Sequence, residues 1–304
     1  MKTYAPAFVE QVNLAYHEEE AALYDGRHPE IMRDELERWA RIAAAVAALK
    51  RERGALTVLD IGTGTGFAPE RLASFLDAKD ECILTDLSPA MMAHARKRLA
   101  GAPMRLRELV GPADRLDLPD GCADVVTMNS VVHHFPSPEA VFARVRGWLK
   151  PGGIVVIAHE PNALHYRNGV VLGLDRILRG ARRLRDRLRG SGGASGDPFI
   201  DAVNRRLIAS GAIAEPMKVE EIESITDIHS PTAGRSIKME RGFDPRAIAR
   251  DAFPGYAVET FETSRFFGKA DPGKVAALRP FIRAVERAWP EAGSLFLLIL
   301  RKPS

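Results

Sequence analysis

Cysteine is nearly absent: Cys82 and Cys122 are the only two in 304 residues. They form no CxxC pair, and no Cys/His run has zinc-ligand spacing. A disulfide scaffold is excluded, reduced thiols are expected, and no metal site is expected. Long apolar runs are lacking too. The longest, 295–300, is far short of a membrane span and suits a buried strand. Charge of one sign is also lacking: the formal net charge is +3, so no overall basic field points to nucleic acid. The first residues, Met1-Lys2-Thr3-Tyr4, lead into a polar segment rather than an apolar signal core, so a cytoplasmic protein is expected.

What is present is an alternation. Ile31, Leu36, Trp39, Ile42, Val46 and Leu49 recur at helical spacing within 8–50, and Gly54 ends that segment. Short apolar strands are then expected at 55–61, 82–86, 124–129 and 154–158, with a weaker one ending near Val110. Helices are expected between them at 69–76, 89–99 and 138–149. Such spacing implies βαβ units and an α/β fold built on a mostly parallel sheet. Regularity stops after Glu160 and returns with a strand at 256–267, a helix at 274–289 and a last strand at 295–301. The expected divisions are an N-terminal helical cap (1–53), a ligand-binding core (54–161), a lid or substrate insertion (162–251) and a segment completing the sheet (252–304).

The chemistry gathers at Asp60-Ile61-Gly62-Thr63-Gly64-Thr65-Gly66, between a strand and a helix. Glycines there permit a sharp turn and let a ligand lie against bare N–H groups. Asp86 closes the next strand, where a carboxylate can accept from both hydroxyls of a ribose. A dinucleotide is disfavoured. The third glycine of G-x-G-x-x-G falls on Phe67 or Pro69, and the charge of Asp60 would repel a pyrophosphate. The same charge would favour the ammonium of an amino acid attached to the nucleoside.

Adenosine joined to a cationic amino acid describes S-adenosyl-L-methionine, and here the chain resembles a known family. The segment 58–66 resembles the first motif of class I, Rossmann-like S-adenosylmethionine-dependent methyltransferases. Thr85-Asp86-Leu87-Ser88-Pro89-Ala90-Met91-Met92 resembles their ribose-binding turn. Leu118-Pro119-Asp120 with Ala123-Asp124-Val125-Val126 resembles the approach to their fourth strand, and Trp148-Leu149-Lys150-Pro151-Gly152-Gly153 the turn before their fifth. The nearest branch is the ubiquinone/menaquinone-type group acting on small molecules. The resemblance implies a Rossmann-like, doubly wound sheet with an N-terminal helical cap and a helical lid between the fifth and sixth strands. It implies cofactor contacts from Asp60, Gly62, Thr63, Gly64, Gly66, Asp86, Leu87 and Met91, from Asn129 and Ser130, and from Tyr24 closing over the site. One departure concerns adenine. Where the family often has Gly-Asp-Ala, this chain has Gly111-Pro112-Ala113-Asp114, which leaves the Ala113 N–H and the Asp114 carboxylate as candidates.

Methyl transfer needs alignment first, worth about 7–11 kcal/mol; a general base is needed only when the nucleophile must lose a proton. His134, Glu160 and His229 are the candidate catalytic side chains, each with a structural alternative: packing at the cofactor rim, capping of a helix start, and a surface loop. The expected reaction moves a methyl group to O, N or C of a small-molecule metabolite. The alternative uses the same cofactor site for cyclisation, elimination or decarboxylation. Arg176, Arg179, Arg182, Arg183, Arg187 and Arg189 surround an apolar face running from Val170 to Leu188, followed by a Gly/Ser-rich linker at 190–196. A solvated lid or a contact between two copies of the chain is the leading expectation for it, with contact to an anionic membrane the alternative.

Overall fold

The computed structural model describes residues 4–29, 31, 36–188, 197–235, 237–267 and 279–304, and within these leaves the side chains at 37, 179, 181–188 and 235 undescribed. Seven strands form one sheet in the order β3-β2-β1-β4-β5-β7-β6. They are β1 (Thr57–Ile61), β2 (Glu81–Asp86), β3 (Arg105–Val110), β4 (Ala123–Asn129), β5 (Leu149–Pro161), β6 (Ala257–Ser264) and β7 (Leu295–Arg301). β1 to β5 run parallel; β7 is antiparallel to both β5 and β6.

The apolar runs explain the layering. Alternate residues of a strand face opposite sides, so Val58, Cys82, Leu84, Val125 and Val156 join one buried cluster, and Leu59, Ile83, Val126, Val155 and Ile157 another. The first face is covered by the helix Leu36–Arg53 through Trp39, Ile42, Val46 and Leu49. The second is covered by the helix Pro138–Trp148 through Val141, Phe142, Val145 and Trp148, with Ile248 and Phe253. Each fully buried side chain of this size contributes about 1.5–3 kcal/mol.

Between β5 and β6 the chain is helical: Ala163–Arg167, Gly169–Leu188, Pro198–Ala209 and Val219–Thr226. The last two pack against the N-terminal helix Pro6–Glu20. Val9, Val12 and Ala15 meet Phe199, Val203, Leu207, Ile222 and Ile225 in a separate buried cluster, and the Tyr16 and Phe199 rings cross edge to face at 4.8 Å. Pro6–Glu20, Pro198–Ala209 and Val219–Thr226 therefore form one body.

Several local expectations shift. After the glycine loop the helix is Phe67–Leu72 with a 3-10 turn Ala73–Phe75, not 69–76. β5 is longer than 154–158 because Leu149 pairs with Ala123 across an irregularity in the register. On Gly169–Leu188 the apolar face is narrower than its spacing suggests: Val171, Leu174 and Leu178 pack with Phe266 and Phe267, whereas Val170 and Ile177 are exposed. Arg176 is exposed. The side chains of Arg179, Arg182, Arg183 and Arg187, together with Arg189 and the linker 190–196, lie outside the described residues, as does the start of the helix expected from 274. No helix among the described residues is long and apolar enough to cross a membrane.

Candidate active site

The loops that leave the carboxyl ends of β1, β2, β3 and β4 meet in one cavity of about 260 Å³, the edge at which open parallel sheets take ligands. The glycine loop forms its floor. Thr63 N–H donates to Thr85 O at 2.8 Å, and Gly66 N–H closes the turn onto Thr63 O at 2.9 Å. Gly62 has φ +69°, and a Cβ there would lie 2.2 Å from Val131 Cγ2. Gly64, at φ +55°, would meet nothing within 4 Å. The first glycine is thus required by packing and the second leaves space. Gly66 is turned away from the cavity against Ala95.

Asp86 stands at the end of β2 and holds the two turns together. Its Oδ2 accepts from Gly64 N–H at 2.7 Å and its Oδ1 from Ser88 N–H at 2.9 Å. Each oxygen keeps a further lone pair, enough for a diol. Leu87 and Met91 line the same wall. The 3-10 turn Ala113–Arg115 brings Ala113 and Asp114 to the cavity, so the departure at Pro112 does not remove the polar groups from that end. At the end of β4, Asn129 and Ser130 complete the floor. Ser130 is held in the left-handed region at φ 56°, its N–H on Ala158 O at 2.8 Å, a geometry that costs a non-glycine residue roughly 1–3 kcal/mol. Asn129 Oδ1 is buried with no hydrogen-bond partner among the described residues. An orphaned acceptor at a cavity floor is what an ammonium or amide donor would satisfy.

Asp60 differs from its expected position. It does not line the cavity. It is buried beneath the loop, with Oδ1 accepting from Thr127 Oγ1 at 2.5 Å and Oδ2 lacking a partner among the described residues. Burial pushes its carboxyl up to about 6, against the hydrogen bond of Thr127.

The three candidate catalytic side chains separate. His134 lines the cavity, with Nδ1 on Thr226 O at 2.8 Å. Burial, with His133 and His17 alongside, holds its imidazole well below the ordinary range. Glu160 does not reach the cavity. Its carboxylate is wholly buried and accepts from the N–H groups of Val131, Val132 and His133 at 2.7, 2.8 and 3.2 Å, and from His133 Nδ1 at 2.8 Å. It caps the turn Val132–His134 and is no contact for an acceptor. His229 also stays off the cavity, its Nε2 on Phe135 O at 3.1 Å.

The cavity has a roof that the motifs do not announce. Glu10, Asn13 and His17 of Pro6–Glu20 line it, as does Tyr24. The spacing of Glu10, Asn13 and His17 puts them on one helical face, yet such a stripe reads equally as a solvated surface. Ties to the floor hold the roof down: Glu18 Oε1 accepts from Ser88 Oγ at 2.6 Å and Ala90 N–H at 2.9 Å, and Asp25 Oδ1 from Thr65 Oγ1 at 2.8 Å.

Residues 59–157, about a third of the chain, match the family model described as Methyltransferase domain; they span β1 to β5 and the loops that form the floor. Among curated relatives, the demethylmenaquinone methyltransferase of Thermus thermophilus is 32% identical over 127 residues, covering 41% of this chain and 54% of that protein. The ubiquinone/menaquinone biosynthesis C-methyltransferase UbiE of Burkholderia cenocepacia is 30% identical over 105 residues, covering 34% of this chain and 43% of that protein. The alignments span about half of the relatives' own length. A chain in the complex of the Haloferax volcanii Trm112 methyltransferase activator with a methyltransferase shares the fold, with TM-score 0.50 and 19% identity over 95% of this chain and 98% of that chain.

Proposed function

We propose that the whole chain is an enzyme that transfers a methyl group from S-adenosyl-L-methionine to O, N or C of a small-molecule acceptor. One observation carries this reading. The diol-binding carboxylate of Asp86, the adenine-end groups of Ala113 and Asp114, the orphaned acceptor of Asn129 and the imidazole of His134 share one cavity.

The residues present fit the cofactor. Asp86 would take the ribose hydroxyls, the Ala113 N–H and Asp114 the adenine, and Asn129 Oδ1 the ammonium, with Asp60 adding negative potential from below. When bound, the cofactor supplies a methyl group already activated by its sulfonium charge. The chain's own task is alignment, so a floor made of backbone and short side chains is sufficient chemistry. Glu10, Asn13, His17 and Tyr24 close the cavity from above and exclude water, and His134 stands in the wall between floor and roof. Phe135, Pro136 and Val141 add apolar surface beside it, which suits an acceptor with an apolar body and few polar groups.

The test is incubation of the purified protein with methyl-labelled S-adenosyl-L-methionine and a small-molecule extract. Label in a low-mass product, with S-adenosylhomocysteine released in equal amount, is expected. Conversion of an acceptor without release of S-adenosylhomocysteine would replace methyl transfer by the cyclisation, elimination or decarboxylation reading.

A further inference from the structure

At the edge of the cavity, and sharing His134 with it, lies a cluster of potential metal ligands. One ring nitrogen each from His133 and His134 and a carboxylate oxygen of Asp227 all lie within 4.8 Å of one another. We propose that these three residues bind one divalent transition-metal ion per chain, at the edge of the cofactor cavity.

The distances favour an ion over direct hydrogen bonding. Asp227 Oδ1 is 3.8 Å from His133 Nε2 and 3.4 Å from His134 Nδ1. These are long for charge-assisted hydrogen bonds, which run at about 2.7–2.9 Å. Neighbouring ligands of a tetrahedral ion with bonds of about 2.0–2.1 Å stand about 3.3–3.4 Å apart. Asp227 sits at the end of Val219–Thr226 with 38% of its side chain exposed, so its carboxylate has room to turn and close the small excess.

His133 is already oriented as a metal ligand is. A ligating imidazole commonly donates its other N–H to a carboxylate or a backbone carbonyl, which fixes the tautomer and raises its basicity. His133 Nδ1 is 2.8 Å from Glu160 Oε2, leaving Nε2 toward Asp227. His134 Nδ1 faces Asp227 Oδ1 at 3.4 Å and Thr226 O at 2.8 Å, so His134 exchanges the carbonyl for the ion when it coordinates. Glu160 cannot drift, because three backbone N–H groups hold its carboxylate. The two carboxylates, Asp227 and Glu160, balance a doubly charged ion between neutral imidazoles.

Two imidazoles and one carboxylate suit zinc, cobalt or iron(II) better than magnesium or calcium, which prefer oxygen ligands. The sequence shows no such site because its ligands come from the turn after β4 and from the end of a helix in the insertion. His134 lines the cavity, so an open coordination position there would take an oxygen-bearing acceptor. That consequence rests on the methyl-transfer reading; the binding of the ion does not.

Titration of the metal-stripped full-length protein with Zn2+ by calorimetry tests the site, with Co2+ absorption as a second readout. One ion per chain is expected, at micromolar affinity or tighter. Asp227→Ala and His133→Asn should each weaken binding at least about 100-fold, and Glu160→Gln by about 10–100-fold. His229→Asn should leave it unchanged. S-adenosylhomocysteine affinity, measured on the same samples, reports folding and the cofactor site separately. Should either ligand variant fail to fold, nitrogen couplings from two imidazoles on Cu2+ bound to the unmodified protein decide the matter. Absence of one-to-one binding, absence of those couplings, or binding unchanged in folded Asp227→Ala would overturn the proposal while leaving the cofactor reading intact.

Discussion

The floor and the roof of the cavity are built by different means. The floor is local: each group sits within a few residues of a strand end, with backbone N–H groups fixing the loop, that of Thr63 on Thr85 O and that of Gly64 on the Asp86 carboxylate. The roof is assembled from segments far apart in sequence, Pro6–Glu20 against Pro198–Ala209 and Val219–Thr226, held by side-chain packing. A floor of that kind is rigid and legible. A roof of that kind can open at a free-energy cost below that of global unfolding.

The contrast can be broken or sharpened by experiment. Ile222→Ala empties a fully buried position in the roof cluster and should cost about 2–5 kcal/mol of stability. Denaturant titration with hydrogen exchange should place the loss in Pro6–Glu20 and Val219–Thr226 while β1 and β4 keep their protection. Equal acceleration in the strands would mean that roof and floor are one cooperative unit. Asp86→Ala attacks the floor. Charge-assisted hydrogen bonds contribute about 1.5–3 kcal/mol each, so calorimetry should show S-adenosylhomocysteine binding about 100-fold weaker or worse. Unchanged affinity would remove the ribose role.

Asp60 should make cofactor binding pH-dependent. Its carboxyl is held up to about 6 by burial, and a cation bound above it favours the ionised form. Binding therefore expels a proton below that pH. Affinity should rise about tenfold between pH 5 and pH 7 and flatten above, a rise that Asp60→Asn abolishes. A flat profile in the unmodified protein would show that Asp60 does not sense the ligand. Gly64→Ala should lower stability by only about 1 kcal/mol, the strain of a left-handed alanine, because its Cβ points into open space. Gly62→Ala would drive its Cβ into Val131 and cost more; thermal melts giving the reverse order would contradict the packing argument. The smallest effect belongs to Glu18→Gln. Weakening the tie to Ser88 and Ala90 should speed cofactor release a few-fold in stopped-flow traces, with no change if the roof is held by packing alone.

Much of the floor was readable before any fold was seen. Asp86, Gly62, Gly64, Asn129 and Ser130 lie at fixed offsets from strand ends, and strand ends are set by apolar runs that local spacing reveals. Asp60 was misplaced for a physical reason: adjacency to the loop does not say whether a side chain points up into the cavity or down beneath it. Glu160 and His229 lie off the cavity because their hydrogen-bond partners are the turn 131–133 and the carbonyl of Phe135. Glu10, Asn13 and His17 went unseen because a polar helical stripe looks the same over solvent as over a ligand.

The order of short apolar strands and intervening helices was enough to determine a parallel sheet and the edge where a nucleoside would lie, because period and chirality are properties of the chain itself. Which face of the first helix turns inward, and that Asp227 comes to stand beside His133 and His134, were decided only by tertiary packing. Those choices depend on the shapes of surfaces brought together from distant parts of the chain, and no local pattern encodes them.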